Sequence, residues 1–305
     1  NREKEIVLVT KIEAFMEEFI NAREDQNRLD LFKKIPKGKR LRAKLILKIA
    51  GESRESYKLA AIVELVHAAS LLHDDVIDDA LTRRGEDSIN AIFGNKTSIM
   101  LGDILYSKAF AELSNFSSDV AYRISSAVSL LSVGELLDMA LSEQFNDNKT
   151  AYFDMIYKKT AILIEAAAAS AAMLCGKDIK IYEIYGRNLG LAFQIIDDVL
   201  DITQNSEVLG KPSLSDFKEG KTTLPYLYLY ERISADEQQK LISLFKKDLD
   251  KDDKMWIKNK MKETSSLNDS IQYAKELGLE ALSAIKDENN DGLTKIIKEM
   301  IEREF

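Results

Sequence analysis

Two stretches repeat one arrangement of carboxylates: "LLHDDVIDD" at 71–79 and "QIIDDVLDI" at 194–202. Each sets a D-D-x-x-D pattern at the end of an apolar run. On a helix, residues four apart share a face. Asp74 therefore pairs with Asp78, and Asp197 with Asp201, while Asp75 and Asp198 turn about 100° aside. Two carboxylates so placed repel each other unless a cation lies between them. A set of oxygen ligands with no cysteine and few histidines selects a hard ion, Mg²⁺ or Mn²⁺. Mg²⁺ dehydrates reluctantly and commonly shares its shell with phosphate oxygens. Two such faces opposed across a cleft would hold a diphosphate through several metal ions. A lone acidic cluster usually marks a solvated helix end; a matched pair, each fused to an apolar helix, argues for the metal.

Basic residues accompany both clusters. Arg83 and Arg84 follow the first within about a turn, and "PKGKRLR" at 36–42 supplies Lys39, Arg40 and Arg42. Lys158 and Lys159 interrupt an otherwise apolar helix, and Lys211 and Lys221 lie in the segment 205–225. Each alone reads as surface charge. Together they offer partners for more than one phosphate group. His67 falls seven residues before Asp74, on the same helical face. His73 falls off that face and receives no role. No nucleophile–base pair is apparent, and Cys175 reads as a packing residue.

The elements that must position these side chains are helices. "EIVLVTKIEAFMEEFINA" carries a stripe at Ile12, Phe15, Met16, Phe19 and Ile20 at helical spacing. "SYKLAAIVELVHAASLLHDDVIDD" is apolar nearly all round, as a central buried helix is. "SSDVAYRISSAVSLLSVGELLDMALSEQF" predicts one or two helices. "AYFDMIYKKTAILIEAAAASAAMLCG" predicts another, with Gly176 as its stop. "IYEIYGRNLGLAFQIIDDVLDITQ" and the tail complete an all-α chain. No stretch shows sustained period-two alternation. The loop 205–225 stands out, with two of the three prolines; loops this long are usually functional.

The 305 residues reach the upper size for one hydrophobic core, and no linker divides them, so residues 1–305 are expected to form one domain. A net charge of −8 argues against nucleic acid as a partner. One cysteine excludes a disulfide framework and suits a reducing, cytoplasmic setting. No unbroken run of eighteen apolar residues occurs, so no transmembrane segment is expected, and the first residues do not read as a signal peptide.

The motifs "GKRLR" (38–42), "DDVIDDALTRRG" (74–85), "GD" (102–103), "KKT" (158–160), "FQIIDDVLD" (193–201) and "GKPSLSDFKEGKTTLP" (210–225) span most of the chain. In this combination it resembles the trans-isoprenyl diphosphate synthases of the polyprenyl synthetase family. The resemblance implies the isoprenoid synthase fold, a bundle of long antiparallel helices around a central cavity, and a homodimer. It implies that Asp74, Asp78 and Asp197 hold Mg²⁺ on the diphosphate of an allylic substrate, with Asp75, Asp198 and Asp201 in support. Arg83, Lys159, Thr160, Gln194, Lys211 and Lys221 would contact that substrate. Lys39, Arg42, His67 and Arg84 would bind isopentenyl diphosphate. Thr160 and Gln194 would also stabilise the allylic cation by their dipoles.

In this family the residues just before the first motif form the floor of the product pocket. Here they are Ala69 and Ser70, both small, about 6–7.5 Å along the helix from the metal-binding turn. A long product, near octaprenyl length, is the expectation, primed by farnesyl or geranylgeranyl diphosphate. Leu130 and Leu131 are candidates for a deeper floor. A short-chain (farnesyl or geranylgeranyl) synthase is the alternative. A terpene cyclase would lack the second D-D-x-x-D, and a non-catalytic helical subunit would have lost motif residues. "DENNDGLTKIIK" (287–298) begins like a calcium loop, but Lys298 stands where the bidentate glutamate belongs. It reads as a polar turn broken at Gly292.

Overall fold

The computed structural model describes residues 2–21, 26–204 and 213–302. Lys211 lies outside these, as does the start of the loop that follows the second motif. The chain sorts into two compact units: residues 1–129 with 163–183, and residues 130–162 with 184–305. Among the described residues the ordered structure is almost entirely helical, as the apolar spacing predicts.

α1 (Arg2–Asn21) buries Ile12, Met16, Phe19 and Ile20 along one stripe. Full burial of such a side chain stabilises by about 1.5–3 kcal/mol. α2 (Gln26–Lys33) and α3 (Leu41–Ala50) lead to α4 (Arg54–Ile77), which is buried along most of its length. A reciprocal cap sets its start: the Ser53 hydroxyl accepts from the Ser56 N–H, and the Ser56 hydroxyl accepts from the Ser53 N–H. α4 ends on the first aspartate motif, with Asp78 at its cap.

A small hairpin follows that the all-helical expectation lacked. β1 (Thr82–Arg83) pairs antiparallel with β2 (Glu86–Asp87). Arg84 and Gly85 form the turn at φ 53° and 77°, the positive φ values a primed two-residue turn requires. Strands of two residues are too short to show alternation. α5 (Ile89–Phe93) and α6 (Asn95–Leu113) come next.

α7 (Ser118–Leu141) is one helix where the sequence allowed two. It also bears on the expectation about membranes, though a core helix of a soluble protein meets the same measure. By length and composition alone it is apolar enough to cross one, and only 28% of its most apolar window is buried. Its serines and scattered charges break the run of apolar letters without lowering the average hydropathy enough. Tyr122, Val133, Leu136 and Met139 are exposed on it.

α8 (Lys149–Ile156) continues through a π-helical turn at Tyr157–Ala161 into α9 (Ile162–Cys175). The sequence reads here as one regular helix. Such wide turns are rare and concentrate at functional sites. Gly176, at φ 68°, stops α9 as predicted. α10 (Ile179–Thr203) carries the second motif. α11 (Ser215–Lys218), α12 (Leu224–Arg232), α13 (Ala235–Leu244) and α14 (Lys251–Glu263) contribute to a core that includes Phe217, Tyr226, Leu241, Ile257 and Met261. α15 (Ser266–Ala284) and α16 (Asp291–Ile301) complete the chain. The calcium-like stretch is the lead-in to α16: Asn290 caps it by accepting from the Leu293 N–H at 3.1 Å. Gly292 lies inside that helix and is not the breaker; Asn289, at φ 51°, makes the turn.

Candidate active site

Burial sorts the six motif aspartates into two sets. Asp74 is half-buried, and Asp78 and Asp197 are exposed. Asp75, Asp198 and Asp201 are only 4%, 5% and 2% exposed. The division differs from helical spacing, which pairs Asp197 with Asp201. Each buried carboxylate has protein partners. Arg83 donates to Asp75 through Nε, at 3.0 Å to each oxygen, and through Nη2 at 2.5 Å. Asp201 accepts from the Ser215 hydroxyl at 2.9 Å and from the Asp216 N–H at 3.2 Å. It thereby ties the second motif to the start of α11. Asp198 accepts from the buried Tyr152 hydroxyl and, at 2.9 Å, from Gln194 Nε2. Burial drives the Asp198 carboxyl upward and Asp216 adds to this; those two donors pull the other way, but the balance leaves it well above its ordinary range. Among the described residues no three acidic, imidazole or thiol groups converge into a ready-made metal cage. The more accessible aspartates offer hard oxygen ligands that substrate phosphate and water would complete, the usual manner for Mg²⁺.

A basic cluster forms around the start of α3. Arg40 sits at φ 56° before it and gives no side-chain cap. Glu64, buried on α4, supplies that cap by accepting from the Ala43 N–H at 3.0 Å. Its other oxygen lies 3.6 Å from Arg40 Nη1. The Nε groups of Arg40 and Arg42 are buried donors with no hydrogen-bond partner among the described residues. Buried orphan donors are rare; here they suit an incoming anion. Arg84 donates to the Pro36 carbonyl at 2.9 Å, across Gly38. A Cβ at Gly38 would lie 2.6 Å from the Arg84 guanidinium. The His67 imidazole is pushed well below its ordinary range, first by burial and then by Arg42, Arg84, Arg83 and Arg40. It is a neutral ring at pH 7. Lys39 is exposed on the segment that leads into α3.

Ala69 is fully buried on α4, and Ser70 is half-buried with its hydroxyl donating back to the His67 carbonyl at 2.7 Å. Leu131 is buried and Leu130 partly so. His73, without a role from sequence, has Nε2 3.0 Å from the Ile99 carbonyl oxygen and 3.3 Å from Asp103.

The π turn carries Lys159 and Thr160. Lys159 donates to Asp138 at 2.5 Å and lies 3.1 Å from Glu135. Lys221 donates to the same Asp138 oxygen at 2.6 Å. Burial alone would raise the Asp138 carboxyl; the charges and hydrogen bonds of Lys159 and Lys221 outweigh it and hold the carboxyl below its ordinary value. Lys158 turns away to Asp154 at 2.9 Å. Thr160 donates to Gln194 Oε1 at 2.9 Å, so two residues 34 apart in sequence meet as the motifs imply. Sequence reading missed Glu64, Glu135, Asp138 and Tyr152. The signal for Glu64, Glu135 and Asp138 was a charge on a largely apolar helix, which signifies a buried partner more often than a solvated face.

Residues 30–261 match the polyprenyl synthetase family. A short chain isoprenyl diphosphate synthase of Methanothermobacter thermautotrophicus is 40% identical over 220 residues, covering 68% of this chain and 67% of that protein. The crystal structure of octaprenyl pyrophosphate synthase from Helicobacter pylori has a TM-score of 0.93 at 45% identity and covers 99% of both chains. That of a polyprenyl synthase from Caulobacter crescentus, complexed with calcium and isoprenyl diphosphate, has a TM-score of 0.87 at 28% identity. It covers 97% of this chain and 95% of its own. The chain belongs to the polyprenyl synthetase family and is a trans-prenyltransferase.

Proposed function

We propose that residues 1–305 act as one catalytic domain that condenses isopentenyl diphosphate with farnesyl or geranylgeranyl diphosphate, repeating until an all-trans product near octaprenyl length forms. The burial sorting of the aspartates is the observation that carries the chemistry. Asp74, Asp78 and Asp197 keep access to solvent and would hold Mg²⁺, or Mn²⁺, on the allylic diphosphate. Bound metal neutralises charge on the departing diphosphate. Asp75 orients Arg83 toward the same group, and Lys159 and Lys221 present two ammonium groups held at Asp138. Lys211 is assigned there by motif alone. Arg42, Arg84, neutral His67 and Lys39 form the second diphosphate site, to which the orphan donor of Arg40 is added. As the allylic C–O bond breaks, its electron pair leaves with the diphosphate. The isopentenyl double bond attacks the resulting cation, and loss of one proton restores the alkene. Apolar surroundings keep water from the cation.

Chain length rests on Ala69 and Ser70. Ser70 returns its hydroxyl to its own helix, so what it presents is small and apolar. The Helicobacter relative supports the octaprenyl range; the Methanothermobacter relative keeps a short-chain product as the competing reading. Chromatography of dephosphorylated products decides it. An end product of fifteen or twenty carbons would sink the long-chain reading. Ser70→Phe and Ala69→Phe are expected to shorten the distribution.

Gly38→Ala is expected to displace the Arg84 guanidinium and raise the KM for isopentenyl diphosphate about tenfold, the loss of one charge-assisted contact. Because a flexible tip yields, thermal stability should hardly change. An unaltered KM would remove Arg84 from the site. The exposed apolar side chains of α7 are the proposed homodimer contact, and a single unpaired cysteine agrees with a cytoplasmic location.

A further inference from the structure

We infer that Tyr152 is a positioning residue which, through Asp198 and Gln194, fixes the direction of the Thr160 hydroxyl. The inference rests on the reading above that Thr160 faces the allylic cation. The chain of contacts is short and almost fully specified. Tyr152, buried on α8, donates its one hydroxyl hydrogen to Asp198 Oδ2. Gln194, one helical turn before Asp198, donates from Nε2 to Oδ1 at 2.9 Å. Thr160, on the π turn, donates to Gln194 Oε1 at 2.9 Å.

Each link constrains the next. With Tyr152 on Oδ2, Asp198 meets Gln194 through Oδ1 as an acceptor, so Gln194 turns its NH₂ toward it. The amide is planar, so Oε1 then faces away from Asp198 and toward Thr160. Thr160 has a single hydroxyl hydrogen, and Gln194 takes it. What Thr160 has left to offer is oxygen lone pairs, the negative end of its dipole. That is the sign a developing carbocation needs. Reverse the amide and the order inverts: Nε2 would donate to the Thr160 oxygen, and the hydroxyl hydrogen would swing outward, positive end first. A buried carboxylate is costly without donors. Tyr152 occupies Oδ2 as a donor, so Asp198 meets Gln194 through Oδ1 and holds the amide in the direction seen.

Tyr152 thus affects the chemical step without touching the diphosphate. In the intact enzyme, Tyr152→Phe is expected to lower kcat about 10- to 100-fold, the usual effect of removing a partner that orients a reacting group. The KM values for both substrates should stay within about twofold, since only transition-state interactions are lost. Asp198→Asn, which can donate to Gln194 and permit its reversal, should lower kcat at least as far.

The deciding measurement is a double-mutant cycle. With Thr160→Val, which removes the hydroxyl and keeps the shape, adding Tyr152→Phe should cost nothing further. If Thr160→Val alone leaves kcat unchanged, the reading of Thr160 is wrong. If Thr160→Val lowers kcat and Tyr152→Phe lowers it by the same additional factor in that background, the relay is wrong and Tyr152 acts only on structure. Should Tyr152→Phe fold poorly, Tyr152→Met, which keeps much of the volume and lacks the donor, completes the same cycle with Thr160→Val. A wild-type kcat in Tyr152→Phe also overturns the inference.

Discussion

Asp74→Ala is expected to lower kcat/KM by about three orders of magnitude while leaving thermal stability near that of the parent. The magnitude follows from losing one anchor of a metal that contributes several kcal/mol to the departing charge, at about 1.4 kcal/mol per tenfold. The stability expectation follows from exposure. Asp74 is half-buried in the last turn of α4, a position that alanine fits without opening a buried cavity. Asp75→Ala should behave in the opposite sense. Its carboxylate is 4% exposed and bonded through both oxygens to Arg83. Removing it leaves a guanidinium paired to nothing at that position, at a cost of about 2 kcal/mol after allowance for the partial exposure of Arg83. The two variants, compared by thermal unfolding and by Mg²⁺ titration of activity, separate ligand from support. Equal loss of stability in both would show that burial does not divide the motif in this way.

Gly134→Ala carries the other large effect. A Cβ there would lie 2.6 Å from the Lys159 nitrogen, 2.8 Å from the Lys158 carbonyl carbon and 2.9 Å from the Lys159 Cα. All three are backbone atoms, so no side-chain rotation relieves the clash. α7 and the π turn must separate. Overpacking of this kind costs about 1–3 kcal/mol. The displacement also draws Lys159 from Asp138, and a shift of about 1 Å in a positioning group costs about 100-fold in rate. Measured kcat with an allylic primer, beside the unfolding midpoint, checks both. A variant with unchanged midpoint and rate would mean that the close approach of α7 is dispensable.

Much of this was legible before any coordinates. Apolar residues at helical spacing located α1, α4, α10 and the tail helices, because burial on one face imposes that spacing on sequence. The motifs singled out Thr160 and Gln194, which a hydrogen bond of 2.9 Å joins. What spacing could not supply was depth. Asp197 and Asp201 share a helical face in projection, yet Asp201 is covered by Ser215 and Asp216, which arrive from a segment no periodicity describes. The π turn was also illegible, since one added residue per turn changes the hydrogen-bond pattern without changing the composition. Gly134 explains why the turn can form there: only a residue lacking a side chain lets α7 come so near. Glu64 and Asp138 escaped for a different reason. Each acts by supplying charge to a partner, Arg40 or Lys159, distant in sequence, and no local pattern records such a debt.

The single oxygen of Asp138 that holds both Lys159 and Lys221 has a consequence for repetition. An enzyme that adds unit after unit must vacate its anion seat at every addition and make it ready again. Ammonium groups left without a counter-ion would wander into solvent and have to be regathered. With one carboxylate as their shared resting point, both return to the same place when an anion departs, already spaced for the next. On the long-chain product proposed above, that reset would recur at every addition. On that reading the tempo of elongation, as well as the strength of binding, would be written into one buried aspartate.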